Sequence, residues 1–135
     1  MSQGRDTYRN AVRIVHGRLD RVGRAVAIEL GGRLIRRTPI DTGRARGNWN
    51  ASIGKEDPRT DPDRRANTAL SEGAERIAPL KLSVGHRLFW TNGLPYIARL
   101  NDGYSRQAPS GYVQLTVQEM RVFVDQVAAR ENLRG

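Results

Sequence analysis

The sequence predicts an α+β domain in which a long N-terminal helix and a C-terminal helix pack on a small, mainly antiparallel sheet, with one or two short helices. Two observations indicate this class. Apolar residues recur with helical spacing near both ends of the chain, and two short runs with strand patterning lie between them. With 135 residues, the chain has the size expected of one domain spanning residues 1–135.

A first helix is expected over residues 6–38, within a basic segment that covers residues 1–38. Its apolar seam consists of Tyr8, Val12, Val15, Leu19, Val22 and Val26, which are spaced by three or four residues. At about 1.5 Å per residue the helix is about 45 Å long, whereas a domain of this size has a radius of gyration near ~14 Å. We therefore expect one end to project or to pack against a neighbouring subunit, with ordinary core packing as the alternative.

Two features near the end of this helix carry further expectations. Gly31-Gly32 marks either a close approach of another backbone or a kink. The helix should end at Thr38, because the residue before Pro39 is disfavoured in helical conformation.

The middle of the chain has strand and loop signals. Trp49, Ala51 and Ile53 alternate with Asn48, Asn50 and Ser52, which predicts a half-buried strand over residues 47–54. Residues 55–65 contain two Asp-Pro steps and are expected to form an exposed, mobile loop. A short helix follows over residues 66–78, and the run HRLFWTN over residues 86–92 predicts the second strand.

The last third contains two more helices. Asn92-Gly93 is a turn signal, and Pro95 is suited to the first position of a short helix that ends at Gly103. A final helix begins after Pro109. Its apolar residues form a second seam: Val113, Val117, Met120, Val124 and Val127.

Residue types argue against catalysis and metal binding. The chain has no cysteine, so it has no thiol nucleophile and no thiolate zinc site. Its two histidines, His16 and His86, lie far apart in sequence, and Asp57, Asp61 and Asp63 lack the glycine and glutamate of a calcium loop. We expect no enzyme activity, no cofactor and no metal. The absence of long apolar runs and of a signal-peptide core predicts a soluble protein made in a cytoplasm.

Positive charge is concentrated near the N-terminus. The net charge is +9, and 21 of the 23 basic residues are arginine. Up to Arg46, 11 arginines face 4 acidic residues, so this third carries 11 − 4 = +7. Such a segment favours a polyanion or an acidic protein as a neighbour, although an arginine-biased genome is an open alternative.

Seven of these arginines are candidates for contact with DNA or an acidic partner: Arg5, Arg9, Arg13, Arg24, Arg33, Arg36 and Arg37. No aromatic stacking platform or helix-turn-helix motif accompanies them, so nucleic-acid contact would be non-specific, through backbone phosphates. A non-specific nucleic-acid-binding protein is therefore the alternative function.

Two blocks of the sequence carry a family resemblance. RTPIDTGRARGNWNASIG and LFWTNGLPYIARLNDGYSRQAPSGYV, in this order, resemble the tail-component family of tailed bacteriophages, whose members are also called neck or tail-completion proteins. The motif positions with structural roles are Pro39, Asp41, Thr42, Gly43, Trp49, Asn92, Pro95, Tyr96, Leu100, Gly103 and Pro109. Family members often carry a glutamate where Asn101 or Asp102 stands.

The resemblance implies a structural protein of the virion, located at the head–tail junction and present in the host cytoplasm during assembly. It implies a homo-oligomeric ring, of six copies or a multiple. The implied neighbours are connector or head-closure, tail-terminator and tail-tube proteins, with DNA passing through the channel. No membrane and no small-molecule substrate are implied.

Candidate interface residues come from the first seam and from the two motif blocks. We expect Arg44 and Arg46 to be free to meet a neighbour, and residues 105–107 to present a subunit-contact edge; a purely structural role for these positions is the alternative. The full set is Val12, Val15, Leu19, Val22, Val26, Arg44, Arg46, Ser105, Arg106 and Gln107.

Overall fold

The computed structural model describes residues 3–40, 44–102 and 111–131, with side chains from residue 7 onward. The elements are α1 (Gln3–Arg37), β1 (Trp49–Ile53), α2 (Ala66–Ile77), β2 (Leu88–Asn92), α3 (Ile97–Asn101) and α4 (Tyr112–Arg130). Short 3-10 turns lie at Arg46–Asn48 and Leu82–Val84. The predicted α+β class, with long helices near both ends, is confirmed. Eight motif or interface positions fall outside the described residues: Asp41, Thr42, Gly43, Gly103, Ser105, Arg106, Gln107 and Pro109.

The sheet consists of β1 and β2, which pair antiparallel. Ala51 lies opposite Trp90, and Ile53 lies opposite Leu88. Both strands are shorter than predicted, because Arg46–Asn48 form a 3-10 turn before β1 and β2 begins only at Leu88. A two-stranded ribbon is marginally stable alone, so this sheet depends on the helices that pack against it.

Trp90 of β2 joins the sheet to two helices. Its indole Nε1 donates a hydrogen bond to the carbonyl oxygen of Ala27 in α1, at 2.9 Å. A Cβ atom on Gly31 would lie 2.0 Å from the indole ring, and one on Gly73 of α2 would lie 2.5 Å from it. Both glycines therefore permit close approach of the tryptophan, and α1 continues through Gly31-Gly32 as one helix.

The core on this side of α1 has two clusters that Trp90 connects. The first contains Ala27, Ala51, Ile77 and Leu80, and the second contains Leu34, Ile35, Trp49 and Ala69. Trp90 packs against both clusters. The core thus combines the C-terminal half of α1 with α2 and the sheet.

The C-terminus of α1 is capped by side chains of the following motif block. The hydroxyl of buried Thr38 donates to the Leu34 carbonyl at 2.7 Å and accepts a hydrogen bond from Trp49 Nε1 at 2.8 Å. The guanidinium of Arg46 donates to the carbonyl oxygens of Thr38 and Arg36. These bonds satisfy carbonyls that a helix end leaves without intrahelical partners.

The predicted exposed loop, residues 55–65, covers the polar side of β1. Asn48 and Asn50 are buried, whereas strand alternation predicts polar side chains in solvent. The Asn50 amide donates to the carbonyls of Asp57 and Arg59, at 2.8 and 2.7 Å. Main-chain groups of the loop therefore replace water as hydrogen-bond partners of the two buried asparagines.

Asp57 anchors the same loop through charge. Its carboxylate accepts hydrogen bonds from the Arg59 side chain and from Arg76 of α2. The hydrogen bonds from the Arg59 guanidinium, strengthened by the charges of both arginines, hold the pKa of the Asp57 carboxyl far below its usual range. The carboxylate therefore stays ionised at neutral pH and ties the loop to α2.

The second motif block differs from prediction at Pro95. Helix α3 begins at Ile97, and the Ile97 amide donates to the Leu94 carbonyl at 3.2 Å. Pro95 is thus the second residue of a β-turn, a position that its fixed φ also suits, and the prediction that it opens the helix is wrong. The Asn92 amide donates to the Ala45 carbonyl at 2.8 Å, which joins this block to the first one. Tyr96 and Leu100 are half-buried.

Asn101 connects α3 to the start of α4. Its side-chain oxygen accepts a hydrogen bond from the Val113 amide at 2.9 Å, and its main-chain oxygen accepts one from the Gly111 amide. An amide side chain can satisfy an unpaired N–H at a helix N-terminus. The residue therefore positions α4, a role that the sequence did not suggest.

Substitution of Gly31 tests the role of Trp90. Gly31→Ala should lower the free energy of unfolding by about 2–3 kcal/mol, because the new methyl group collides with the indole and the core must shift. In the same helix, a Cβ atom on Gly17 would lie 3.6 Å from the Arg21 guanidinium, which is an ordinary contact distance. Gly17→Ala should therefore raise stability by about 0.5–1 kcal/mol. Urea denaturation measures both, and a Gly31→Ala protein as stable as wild type would contradict the packing.

Candidate interaction surface

The C-terminal half of α1 is covered by α4, which runs antiparallel to it. Near the end of α1, Arg33 and Arg37 pair with Glu119 of α4. Farther back, Arg21 pairs with Glu131, just after the last residue of α4, at 3.7 Å. Helix α4 therefore reaches back along α1 only to the level of Arg21.

The ion pairs between the two helices hold their relative position. Arg33 Nη1 lies 3.2 Å from Glu119 Oε2, and Arg37 Nη1 donates to the hydroxyl of buried Thr116 at 3.0 Å. The Arg37 hydrogen bond to Glu119, with the charges of both arginines, lowers the pKa of that carboxyl. Glu119 is therefore ionised at neutral pH and pairs with two arginines.

The N-terminal part of α1 extends past α4. We call residues 7–18 the arm. Among the side chains described in α1, the first buried one is Asp20, whose carboxylate accepts hydrogen bonds from the Ser83 amide and hydroxyl, both at 2.9 Å. The amide hydrogen bond lowers the pKa of Asp20. The arm precedes this anchor and is about 18 Å long at about 1.5 Å per residue.

The first seam runs through both the part of α1 that α4 covers and the arm. Val22 is 7% exposed, whereas Tyr8 is 70% exposed and Val15 is 52% exposed. Val12, Leu19 and Val26 are half-buried. The apolar seam that α4 helps to cover thus continues along the arm with much of its surface in solvent.

An apolar groove lies beside the covered half of the seam. It has a volume of about 370 Å³. Four segments line the apolar groove with apolar side chains: Leu19, Val22, Val26, Ala27 and Leu30 of α1, Leu80 and Leu82 between α2 and β2, Leu88 of β2 and Val124 of α4. Leu19 belongs to the seam as well, so the apolar groove begins where the arm ends.

The second seam, on α4, is also only partly buried. Met120 and Val127 are buried, but Val117 is 48% exposed and Val124 37% exposed. Tyr112 and Thr116 occupy the core-facing positions before Met120 and are fully buried. The buried side of α4 is therefore rotated relative to the apolar stripe that the spacing predicts.

The seven candidate arginines do not form one basic strip. Arg24 donates to the Leu80 carbonyl at 3.0 Å, and Arg33 and Arg37 are used in the contact with α4. Arg9 and Arg13 are exposed neighbours on the arm, and Arg36 is exposed about 35 Å farther along the helix, at about 1.5 Å per residue. The side chain of Arg5 is outside the described residues. Among the described candidates that are not used in contacts within the chain, Arg9 and Arg13 are therefore the two that lie close together.

The other candidate contact residues are used within the chain or lie outside the described ranges. Arg46 binds the C-terminal carbonyls of α1, so the expectation that it is free for a neighbour is wrong. Arg44 is exposed and also makes an interaction within the chain. Ser105, Arg106 and Gln107 are not described. The interface residues that the structure brings together are therefore those of the first seam.

Sequence reasoning missed the residues that complete the apolar groove. Leu88 and Val124 come from a strand and a helix far from α1 in the chain, and no local pattern signals that they meet Val26. Only their apolar character in amphipathic segments is visible in the sequence. The arm, in contrast, is recognisable from the seam spacing alone.

The described residues show no sign of two other kinds of site. No described helix combines the length and apolar character needed to cross a membrane. Within the described ranges, no three acidic, histidine or cysteine side chains are grouped so that they could hold a metal ion.

Charge substitutions test whether the seam is buried at Val22 and exposed at Val15. Val22→Asp should lower the free energy of unfolding by about 3 kcal/mol or more, because it places an unpaired charge among buried side chains. Val15→Asp should cost less than about 1 kcal/mol, since half of that side chain is in solvent. Thermal and urea unfolding at low protein concentration measure both. Equal losses for the two variants would show that the arm is packed like the rest of α1.

Comparisons of the chain with protein-family models, with curated proteins and with solved structures found no match.

Proposed function

We propose that this protein is a structural component of a tailed-phage virion, acting at the head–tail junction. In this role it forms part of the neck or tail-completion ring through association with its own copies and docking to connector and tail proteins. The observation that carries the proposal is the apolar seam of α1, which continues past α4 onto an exposed arm. The order and spacing of the two motif blocks resemble the tail-component family, and this resemblance is the reason for proposing a phage neck as the assembly.

The exposed apolar surface supports a role in assembly. Tyr8 and Val15 lie on one side of the arm, and Val117 and Val124 are exposed on α4. Scattered apolar side chains are normal on a protein surface, but a contiguous apolar strip marks an interaction site. Because the arm side chains continue a seam that is buried elsewhere in the same helix, we infer that the arm is covered by a protein surface in the assembled state.

The motif residues support the same proposal through their structural role. Trp49 caps α1 through Thr38, and Asn92 joins the two motif blocks through Ala45. Trp49 also packs against Leu34 and Ile35 of α1, so it fixes the end of the helix against the sheet. A rigid base for a projecting helix is useful in a subunit that must meet its neighbours at a defined angle.

Particle analysis tests the proposed location. Phage particles from a host that carries the encoding phage or prophage should contain the protein, and electron microscopy with a labelled antibody should locate it at the head–tail junction. Deletion of the gene should leave unjoined heads and tails and reduce infectious titre by orders of magnitude, with recovery when wild-type protein is supplied. Normally joined, infectious particles without the protein would overturn the proposal.

A second candidate function, non-specific nucleic-acid binding, is favoured by one observation. Arg9 and Arg13 are exposed on the projecting arm and make no ion pair with the described residues. Two neighbouring guanidinium groups on a projecting helix can contact phosphates. The other described candidate arginines are used within the fold or lie far from the arm, so the basic surface that could meet DNA is small.

Salt dependence tests this second function. If the arm binds duplex DNA, the logarithm of the binding constant should fall linearly with the logarithm of salt concentration, and Arg9→Ala/Arg13→Ala should reduce the slope by about 2. Arg24→Ala, which removes a guanidinium used within the fold, provides the matched control and should leave the slope unchanged. Fluorescence anisotropy measures the binding, and no affinity at low salt would exclude this function.

A further inference from the structure

The arm and the apolar groove lie on the same side of α1. Tyr8, Val12 and Val15 of the arm continue, at intervals of three or four residues, into Leu19, Val22, Val26 and Leu30 of the groove. Residues at such spacing share one face of a helix. One half of this apolar stripe therefore projects from the domain, while the other half forms the floor of a depression.

We propose that two copies of this chain pair about a two-fold axis near Leu19, each laying its arm antiparallel in the apolar groove of the other. This interface rests on the self-association contained in the proposed function, but not on the location in a virion, and because a two-fold pair is closed, a ring would join such pairs through a further surface. Its partner is defined by shape and chemistry: an amphipathic helix that projects from an identical domain.

The spacing of the seam fits an antiparallel pair. With the axis at Leu19, Val12 of one copy lies opposite Val26 of the other, and Tyr8 lies opposite Leu30. Val15 then lies opposite the turn that contains Val22 and Gly23. The steps on either side of Leu19 add up to seven residues at Val12 and Val26 and to eleven at Tyr8 and Leu30, so apolar side chains meet at both of these levels. Val15 meets the side chain of Leu82, which lies over Gly23.

The area favours reciprocal pairing over a one-way contact. An arm about 18 Å long and a helix about 10 Å wide cover a strip of roughly 200 Å² on each surface, so one arm in one groove buries roughly 400 Å² in total. Specific interfaces usually bury about 1,200 Å² or more, and weak ones somewhat less. Two arms in two grooves, with the contact at Leu19, approach about 1,000 Å². A closed pair therefore buries both arms and both apolar grooves in one interface.

Neighbouring residues of the arm provide a matched test of the pairing. Val15 and Ile14 are similarly exposed, at 52% and 56%, but Ile14 points away from the seam because adjacent residues of a helix do not share a face. Sedimentation velocity should show a concentration-dependent dimer for wild type. Val15→Asp should weaken dimerisation at least tenfold, and Ile14→Asp should leave it unchanged. Circular dichroism checks that both variants are folded.

Engineered cysteines test the register, since the chain has no natural cysteine. Under a mild oxidant, Leu19→Cys should cross-link to its own copy in a dimer. A mixture of Val12→Cys and Val26→Cys proteins should form mixed dimers, whereas Val12→Cys alone should not cross-link. The Val12→Cys/Val26→Cys double variant should stop at closed dimers, and a ladder of larger species would instead indicate head-to-tail chains and overturn the two-fold pair.

The outcomes separate this interface from the proposed function. A wild-type protein that stays monomeric up to about 100 μM, or equal effects of Val15→Asp and Ile14→Asp, would overturn the pairing. Absence of the protein from phage particles would overturn the virion role while leaving a measured dimer intact.

Discussion

The insertion of Trp90 between two glycines is the contact on which the rest of the structure depends. A sheet of two strands has too little surface to be stable alone. The indole lies against Gly31 of α1 and Gly73 of α2, and it hydrogen-bonds to the Ala27 carbonyl. One side chain of the sheet thus contacts both helices that cover it. Because this contact lies in the C-terminal half of α1, it sets the rotation of the whole helix and hence the direction in which its seam faces.

The rigid half of α1 also supports the arm. An isolated helix of a dozen residues is marginal in water, but the arm continues a helix that Trp90, Asp20 and the ion pairs with Glu119 already hold. Nucleation is therefore unnecessary, and the arm remains helical by propagation. Its local stability should nevertheless be lower than that of the packed half, because few buried contacts restrain it. Such a segment is suited to ordering further when a partner covers it.

The arginine-rich composition has a structural use as well as an electrostatic one. Arg24, Arg46 and Arg64 each donate hydrogen bonds to main-chain carbonyls of other segments. A guanidinium carries five N–H donors in a planar fork, so one side chain can join several loops in a domain with little regular sheet. Much of the positive charge is therefore part of the fold, and the total charge overstates the surface that a polyanion can contact.

The sequence by itself determined the features that depend on local periodicity. The helix end near Thr38–Pro39, the two strands and the continuous seam from Tyr8 to Val26 follow from spacing and from backbone constraints that act over a few residues. The first residues of the two strands were predicted too early, because a 3-10 turn precedes β1 and β2 begins only at Leu88. The role of Pro95 was also predicted wrongly, because a β-turn and a helix start use the same proline geometry.

Only the tertiary structure decided which parts of these patterns are covered. Asn48 and Asn50 became buried because main-chain carbonyls of the loop satisfy their amides. Arg33 and Arg37 are half-buried because Glu119 of a distant helix pairs with them. The division of the seam at Leu19 has the same origin: α4 stops at the level of Arg21. Periodicity states which side of a helix is apolar, but coverage depends on where distant segments end, and no local pattern contains that information.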